Sequence, residues 1–127
     1  MRVLLDTNAL MIPGQFGIDI YDELTRLFGK YEPITISDVV RELERIAMGH
    51  GRDASAARMG LQLVTRCTIV ESNRMPGSVD EKIVSVAEEL RSIVVTNDRM
   101  LRDTLIRRGM GVVSMRGQKK LEIMQGC

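Results

Sequence analysis

Short apolar runs alternate with amphipathic stripes along the 127 residues. Arg2–Leu5 (RVLL) reads as a buried strand that ends at Asp6. Residues 11–17 (MIPGQFG) read as a loop from their proline and glycines. Over 18–28, apolar residues at 20, 24, 27 and 28 form a helical stripe closed by Gly29. A short second strand, 34–36, follows Pro33. Ser37 stands where it can cap a helix over 38–48, which Gly49 and Gly51 end. A further helix is predicted over 53–64, a strand over 67–70 and a turn over 73–77. Ser78 followed by Glu81 has capping-box spacing and starts a helix running to Leu90. A strand over 93–96, a helix over 98–108 stopped by Gly109, and a last strand over 112–115 complete the pattern. The tail, 116–127, is basic and then mildly apolar at Leu121, Ile123 and Met124. Strands alternating with helices predict an α/β fold with a parallel sheet covered on both faces. With no linker, repeat or low-complexity stretch, residues 1–127 read as one domain.

Composition narrows the function classes. Hydrophobic content of 44% and charged content of 28% are ordinary for a globular protein. Aromatics are only 3%, which speaks against an aromatic base-stacking platform. Cys67 and Cys127 form neither a disulfide framework nor metal-ligand spacing, so a reducing cytoplasm is the expected compartment. No run approaches the ~20 apolar residues of a membrane span, and no signal peptide is read, so no membrane partner is expected. The net charge of +1 hides an asymmetry. Residues 1–90 hold ten basic and fourteen acidic residues, whereas 91–127 hold eight basic and three acidic. An acidic front with a basic back suits a metal centre beside a polyanion-binding surface, and equally a solvated charged exterior.

Four acids stand out. Asp6 follows the first strand and Asp98 the strand over 93–96, at the carboxyl edge where open α/β sheets bind ligands. Either could instead be a helix cap. For Asp6 the cap reading is weakened because the next helix is expected about ten residues later. Asp80 precedes Ile83, Val84 and Ala87 at helical spacing, and Glu42 lies between Val39 and Ile46, so both lean towards a buried face. An ion pair with Arg41 or Arg45 is the alternative for Glu42. Two carboxylates about 4 Å apart cost roughly 4 kcal/mol at an effective dielectric near 20, so a cluster of them calls for a cation. Oxygen ligands without histidine or cysteine fit Mg²⁺ or Mn²⁺ better than Zn²⁺. His50, the only histidine, lies in a glycine-flanked loop and reads as exposed. Without a histidine base or an activated serine or cysteine, the supported reaction is phosphodiester hydrolysis by metal-activated water. Asn8, Thr96 and Asn97 can orient the carboxylates or a water, or simply stabilise turns.

At these residues the chain resembles the PIN-domain nucleases. LLDTNALM at 4–11 is similar to their first motif, SDVVREL at 37–43 to the second, VDEKIVSVA at 79–87 to the third and VVTNDRMLR at 94–102 to the fourth. IPGQFGIDIYDEL at 12–24 and RGQKKLEI at 116–123 resemble an archaeal branch close to small-subunit ribosomal RNA processing endonucleases and often labelled VapC-type toxin. The resemblance implies a three-layer, Rossmann-like PIN domain, a Mg²⁺ or Mn²⁺ site and endoribonuclease activity. It also implies homodimerisation, with an antitoxin or a ribosome-assembly factor as a possible protein partner. By motif position it gives metal and catalytic roles to Asp6, Glu42, Asp80 and Asp98, supported by Asn8, Thr96 and Asn97. RNA contacts are expected from Arg99 and Arg102 beside Asp98, and from Arg116, Lys119 and Lys120 beyond the last strand.

Two other classes share features with this pattern. A non-catalytic PIN-like RNA-binding or scaffold subunit could retain the same acids. A phosphoacceptor receiver domain has the same length and an acidic pocket. It needs an acidic pair after the first strand and a lysine after the last, where this chain has a lone Asp6 and Arg116.

Overall fold

A computed structural model describes residues 1–125. The chain runs β1 (Arg2–Leu5), α1 (Thr7–Phe16), α2 (Ile20–Phe28), β2 (Glu32–Ile36), α3 (Ser37–Ala47), α4 (Arg52–Val64), β3 (Thr68–Val70), α5 (Val79–Leu90), β4 (Ile93–Val95), α6 (Arg99–Arg107), β5 (Val112–Arg116) and β6 (Lys120–Gln125). One six-stranded sheet has the order β3-β2-β1-β4-β5-β6. All neighbours are parallel except β5 and β6, which pair antiparallel. From β1 the chain winds outward to β2 and β3, then returns to lay β4 and β5 on the other side of β1. Right-handed crossovers therefore put the helices of the two halves on opposite faces. Helix α4 packs on α1 and α3 in one layer, while α5 lies on β1 and α6 on β5 in the other. The central strands are covered on both sides: Val3, Leu4, Leu5, Val94 and Val95 have no exposed surface. Among the described residues no helix is long and apolar enough to cross a membrane.

Three sequence expectations need correction. Residues 11–17 are not a loop, because α1 begins directly after Asp6 and carries Pro13 within it. The proline forfeits only the N–H that would reach Ala9, late in the helix, while Ala9, Leu10 and Ile12 bury the inner face. Ser37 does not cap α3: Ile36 holds that position without a side-chain bond, and Ser37 Oγ instead accepts from Ser72 N at 2.9 Å. The chain also forms a strand after 112–115. The tail folds back as β6, so Arg116 ends β5, Lys119 lies in the turn and Lys120 opens β6. Leu121 is buried, whereas Ile123 and Met124 are exposed. Its edge is tied down because Leu121 N donates to Glu23 Oε1 at 2.9 Å and Arg26 donates to Leu121 O at 2.9 Å, both from α2. Cys67 precedes β3, and Cys127 lies outside the described residues.

The close approach of α1 to α4 depends on missing side chains. A Cβ on Gly14 would stand 2.5 Å from Ala56 Cα, and one on Gly60 would stand 2.9 Å from the Leu10 carbonyl oxygen. Alanine is intrinsically about 1 kcal/mol better than glycine within a helix. Overpacking of about 1–3 kcal/mol outweighs that gain. Gly14→Ala is therefore expected to lower stability, read as a reduced midpoint in urea unfolding; an unchanged or raised midpoint would contradict the packing described.

Candidate active site

Strands β1 and β4 lie side by side where the strand order reverses, and a crevice opens beyond their carboxyl ends. Asp6 and Asp98 sit at this rim. Each caps the helix that follows: Asp6 Oδ1 accepts from Ala9 N at 2.7 Å, and Asp98 Oδ1 accepts from Leu101 N at 3.0 Å. Expecting a gap of about ten residues after Asp6 was wrong, and the cap reading holds for both acids. It does not exclude a second role, because a carboxylate has another oxygen. Thr35 Oγ1 donates to Leu5 O at 2.7 Å and fixes the end of β1. Fully buried Thr96 accepts from Asp98 N through Oγ1 at 3.0 Å, and its hydroxyl also hydrogen-bonds Asp6, so one side chain ties the two acids together.

Glu42 and Asp80 close the crevice from the flanks. Glu42 projects from the second turn of α3. Asp80 lies in the first turn of α5, whose start is fixed by the Ser78–Glu81 capping box. Asp6, Glu42, Asp80 and Asp98 line one cavity of about 190 Å³ together with Thr7, Asn8, Val79 and Ile83. Asp6 is 4% exposed, Glu42 and Asp98 are partly exposed, and Asp80 stands at the open mouth. Among the described residues none of the four makes an ion pair; Arg41 turns instead to Asp38, at 3.2 Å. Lys82, which sequence reasoning passed over, is buried on α5 and pairs with Asp38 at 2.9 Å. Its signal was only a lysine on an otherwise apolar helix face.

The electrostatics follow from this packing. Burial pushes Asp6 up from 3.8 to about 7; its bonds from Thr96 and Ala9 oppose the rise, and Asp80 and Asp98 add to it. Asp80 is also raised, first by partial burial and then by repulsion from Asp98 and Glu42. The N-terminal ends of α1, α5 and α6 all start at this rim and offset part of the negative charge. Among the described residues no group of three or more acidic, histidine or cysteine side chains is arranged to hold a metal ion alone. The donor set still fits a hard cation. Mg²⁺ commonly keeps several waters and uses one or two carboxylates. A cavity of about 190 Å³ has room for a cation that keeps some of its waters.

Among the flanking polar residues, Asn8 lines the cavity, whereas Asn97 Oδ1 accepts from Met115 N at 2.9 Å and anchors the loop to β5. Arg99 and Arg102 lie in the first turns of α6. Arg116, Lys119 and Lys120 belong to the β5–β6 hairpin, whose turn leaves the sheet at the same carboxyl edge. Arg116 is paired with Glu122 at 3.1 Å. A larger hollow of about 690 Å³, beside Tyr21, Tyr31 and Arg66 at the opposite edge, gathers no carboxylates.

A sheet of this order with an acidic crevice at its reversal point defines a Rossmann-like α/β protein. The PIN like domain matches residues 3–118, and the chain belongs to that family. It is 30% identical over 119 residues to ribonuclease VapC9 of Archaeoglobus fulgidus, covering 93% of this chain and 85% of that protein. It is 27% identical over 127 residues to ribonuclease VapC4 of Methanocaldococcus jannaschii, covering 96% and 95%. The structure of the PIN domain endonuclease Utp24 superimposes with a TM-score of 0.80 at 24% identity, over 98% of this chain and 92% of that one, an agreement in fold.

Asp6 gives the free protein a characteristic pH dependence. The folded state holds this proton up to about pH 7, whereas the unfolded chain releases it near 3.8. Its contribution to stability is thus complete below pH 3.8 and lost as pH rises through 7. Asparagine keeps a cap acceptor and removes the titration. With divalent ions chelated, Asp6→Asn should exceed wild type in unfolding free energy above pH 7. The gap should amount to a few kcal/mol, at about 1.4 kcal/mol per pH unit, and disappear below pH 4. Parallel pH profiles in urea melts would refute the assignment.

Proposed function

We propose that this chain is a divalent-metal-dependent endoribonuclease, with Mg²⁺ or Mn²⁺ held by Asp6, Glu42, Asp80 and Asp98. The observation that carries the reading is the gathering of those four carboxylates in one crevice that contains no cation from the chain itself. Identity of 30% to a protein named as a ribonuclease supports RNA as the substrate class and a VapC-type role. Bound Mg²⁺ or Mn²⁺ supplies Lewis acidity to a phosphoryl oxygen and acidifies water for in-line attack.

The chain's own residues prepare that chemistry. Asp6 and Asp98 each commit Oδ1 to a helix amide, which restrains the carboxylates at the rim of the crevice. Thr96 sets their mutual orientation, and Asn8 offers an amide to a phosphate or water at the mouth. Glu42 and Asp80 bring charge from opposite layers, so the reacting phosphate is approached from both sides. The N-terminal ends of α1 and α6 present positive dipole ends towards a phosphodiester. Arg99, Arg102, Lys119 and Lys120, with Arg116 partly neutralised by Glu122, carry the RNA backbone across the rim. A second copy of the chain, and a protein partner that covers the crevice, belong to the same reading.

The test compares wild type with Asp98→Asn on single-stranded RNA. Wild type is expected to cleave in Mn²⁺ or Mg²⁺ and not in chelator. Loss in Asp98→Asn should exceed the roughly 10–100-fold that outer-sphere partners cost. Metal binding without cleavage of any RNA would favour a non-catalytic RNA-binding subunit. For the rim, Lys119→Glu with Lys120→Glu should weaken RNA binding at low salt and flatten the plot of log K against log salt, by about one unit per lost phosphate contact. Equal slopes would remove the hairpin from the RNA path.

A further inference from the structure

The helices that carry Glu42 and Asp80 share a charged contact beneath the crevice. Lys82 lies two residues beyond Asp80 on α5 and is 7% exposed, and its Nζ donates to Asp38 Oδ2 at 2.9 Å. Asp38 stands one turn before Glu42 on α3. Its Oδ1 accepts from Ser72 Oγ at 2.6 Å. Ser72 follows β3 and is wholly buried; its Oγ accepts from Asp38 N at 3.1 Å, and its N–H donates to Ser37 Oγ at 2.9 Å. The network joins the carboxyl ends of β2 and β3 to α3 and α5. Hydrogen bonds from Ser72 and Lys82 hold the Asp38 carboxyl below the usual range, which favours its anion.

Lysine is seldom buried, and an ion pair taken out of water gains little net stability over an apolar contact of the same shape. What the pair supplies is a fixed distance with a fixed direction. Glu42, one turn beyond Asp38, and Asp80, two residues before Lys82, repel each other across the same two helices. Attraction between Lys82 and Asp38 opposes that repulsion and keeps α3 from drawing away from α5 before any ion arrives. We propose that Lys82 is a positioning residue which, through Asp38, holds α3 and α5 at the separation at which Glu42 and Asp80 serve one divalent cation. The proposal rests on reading the crevice as a metal-dependent nuclease site.

The experiment titrates Mn²⁺ calorimetrically into the full chain without RNA, and follows amide hydrogen exchange of α5 in the metal-free protein. Lys82→Met leaves Asp38 with Arg41 and Ser72 on its Oδ1 and removes its bond to α5. The double variant Lys82→Met/Asp38→Leu removes both charges and leaves net charge unchanged, so a change in its affinity reports geometry; either variant that folds decides. The expected result is roughly 10–100-fold weaker Mn²⁺ binding, with faster exchange over 79–83 than in wild type. Lys82→Arg should recover most of the affinity. A folded variant with wild-type affinity and exchange overturns the proposal while leaving the nuclease reading intact. Wild type that binds no Mn²⁺ overturns both.

Discussion

Two carboxylates held by backbone amides organise everything at the rim of the sheet. Asp6 and Asp98 each receive a hydrogen bond from the N–H three residues ahead, so the turn from strand to helix fixes where the charge lies. Side chains on flexible loops would swing apart under their own repulsion. Here the repulsion works against β1 and β4, two adjacent buried strands joined along their length. Capping and ligand binding are usually weighed as alternatives for such an aspartate. In this fold the two are compatible, because the cap anchors a carboxylate that also lines the crevice.

The surroundings extend the same logic. Thr96 ties the two acids together, and Ser114 Oγ donates to Thr96 O at 2.6 Å, so β5 steadies the loop that carries them. Glu42 and Asp80 arrive from helices in opposite layers, and the Lys82–Asp38 pair joins those layers beneath them. Negative charge is thus concentrated where three helices begin, with Arg99 and Arg102 of α6 and the basic residues of the hairpin beside it. The centre and its margin differ in sign within a single edge of the molecule. That separation suits a polyanion whose reacting phosphate must enter an acidic pocket.

Much of the fold was legible in the chain, for physical reasons. The first five strands begin within two residues of their expected starts; the runs of β1 and β4 are buried, whereas β3, at the edge of the sheet, is largely exposed. The capping box at Ser78 was readable because all its partners lie within three residues. The four acids could be grouped in advance because strand ends and helical spacing fix their side of the sheet. What escaped depended on contacts distant in sequence. Helix α1 hid behind Pro13 and Gly14, where local preference points to a loop and the gain comes from packing on α4. Strand β6 was missed because its pairing and its ties to Glu23 and Arg26 lie outside any short window. Ser37 and Lys82 could not be assigned without Ser72 and Asp38, the latter 44 residues from its partner.

Asp6 keeps a proton close to neutrality because desolvation outweighs every bond that favours its anion. In the proposed metal site, a divalent cation held by Asp6 must displace that proton, so the two compete for one carboxylate. Acidification therefore favours the proton over the cation at the most deeply buried of the four acids.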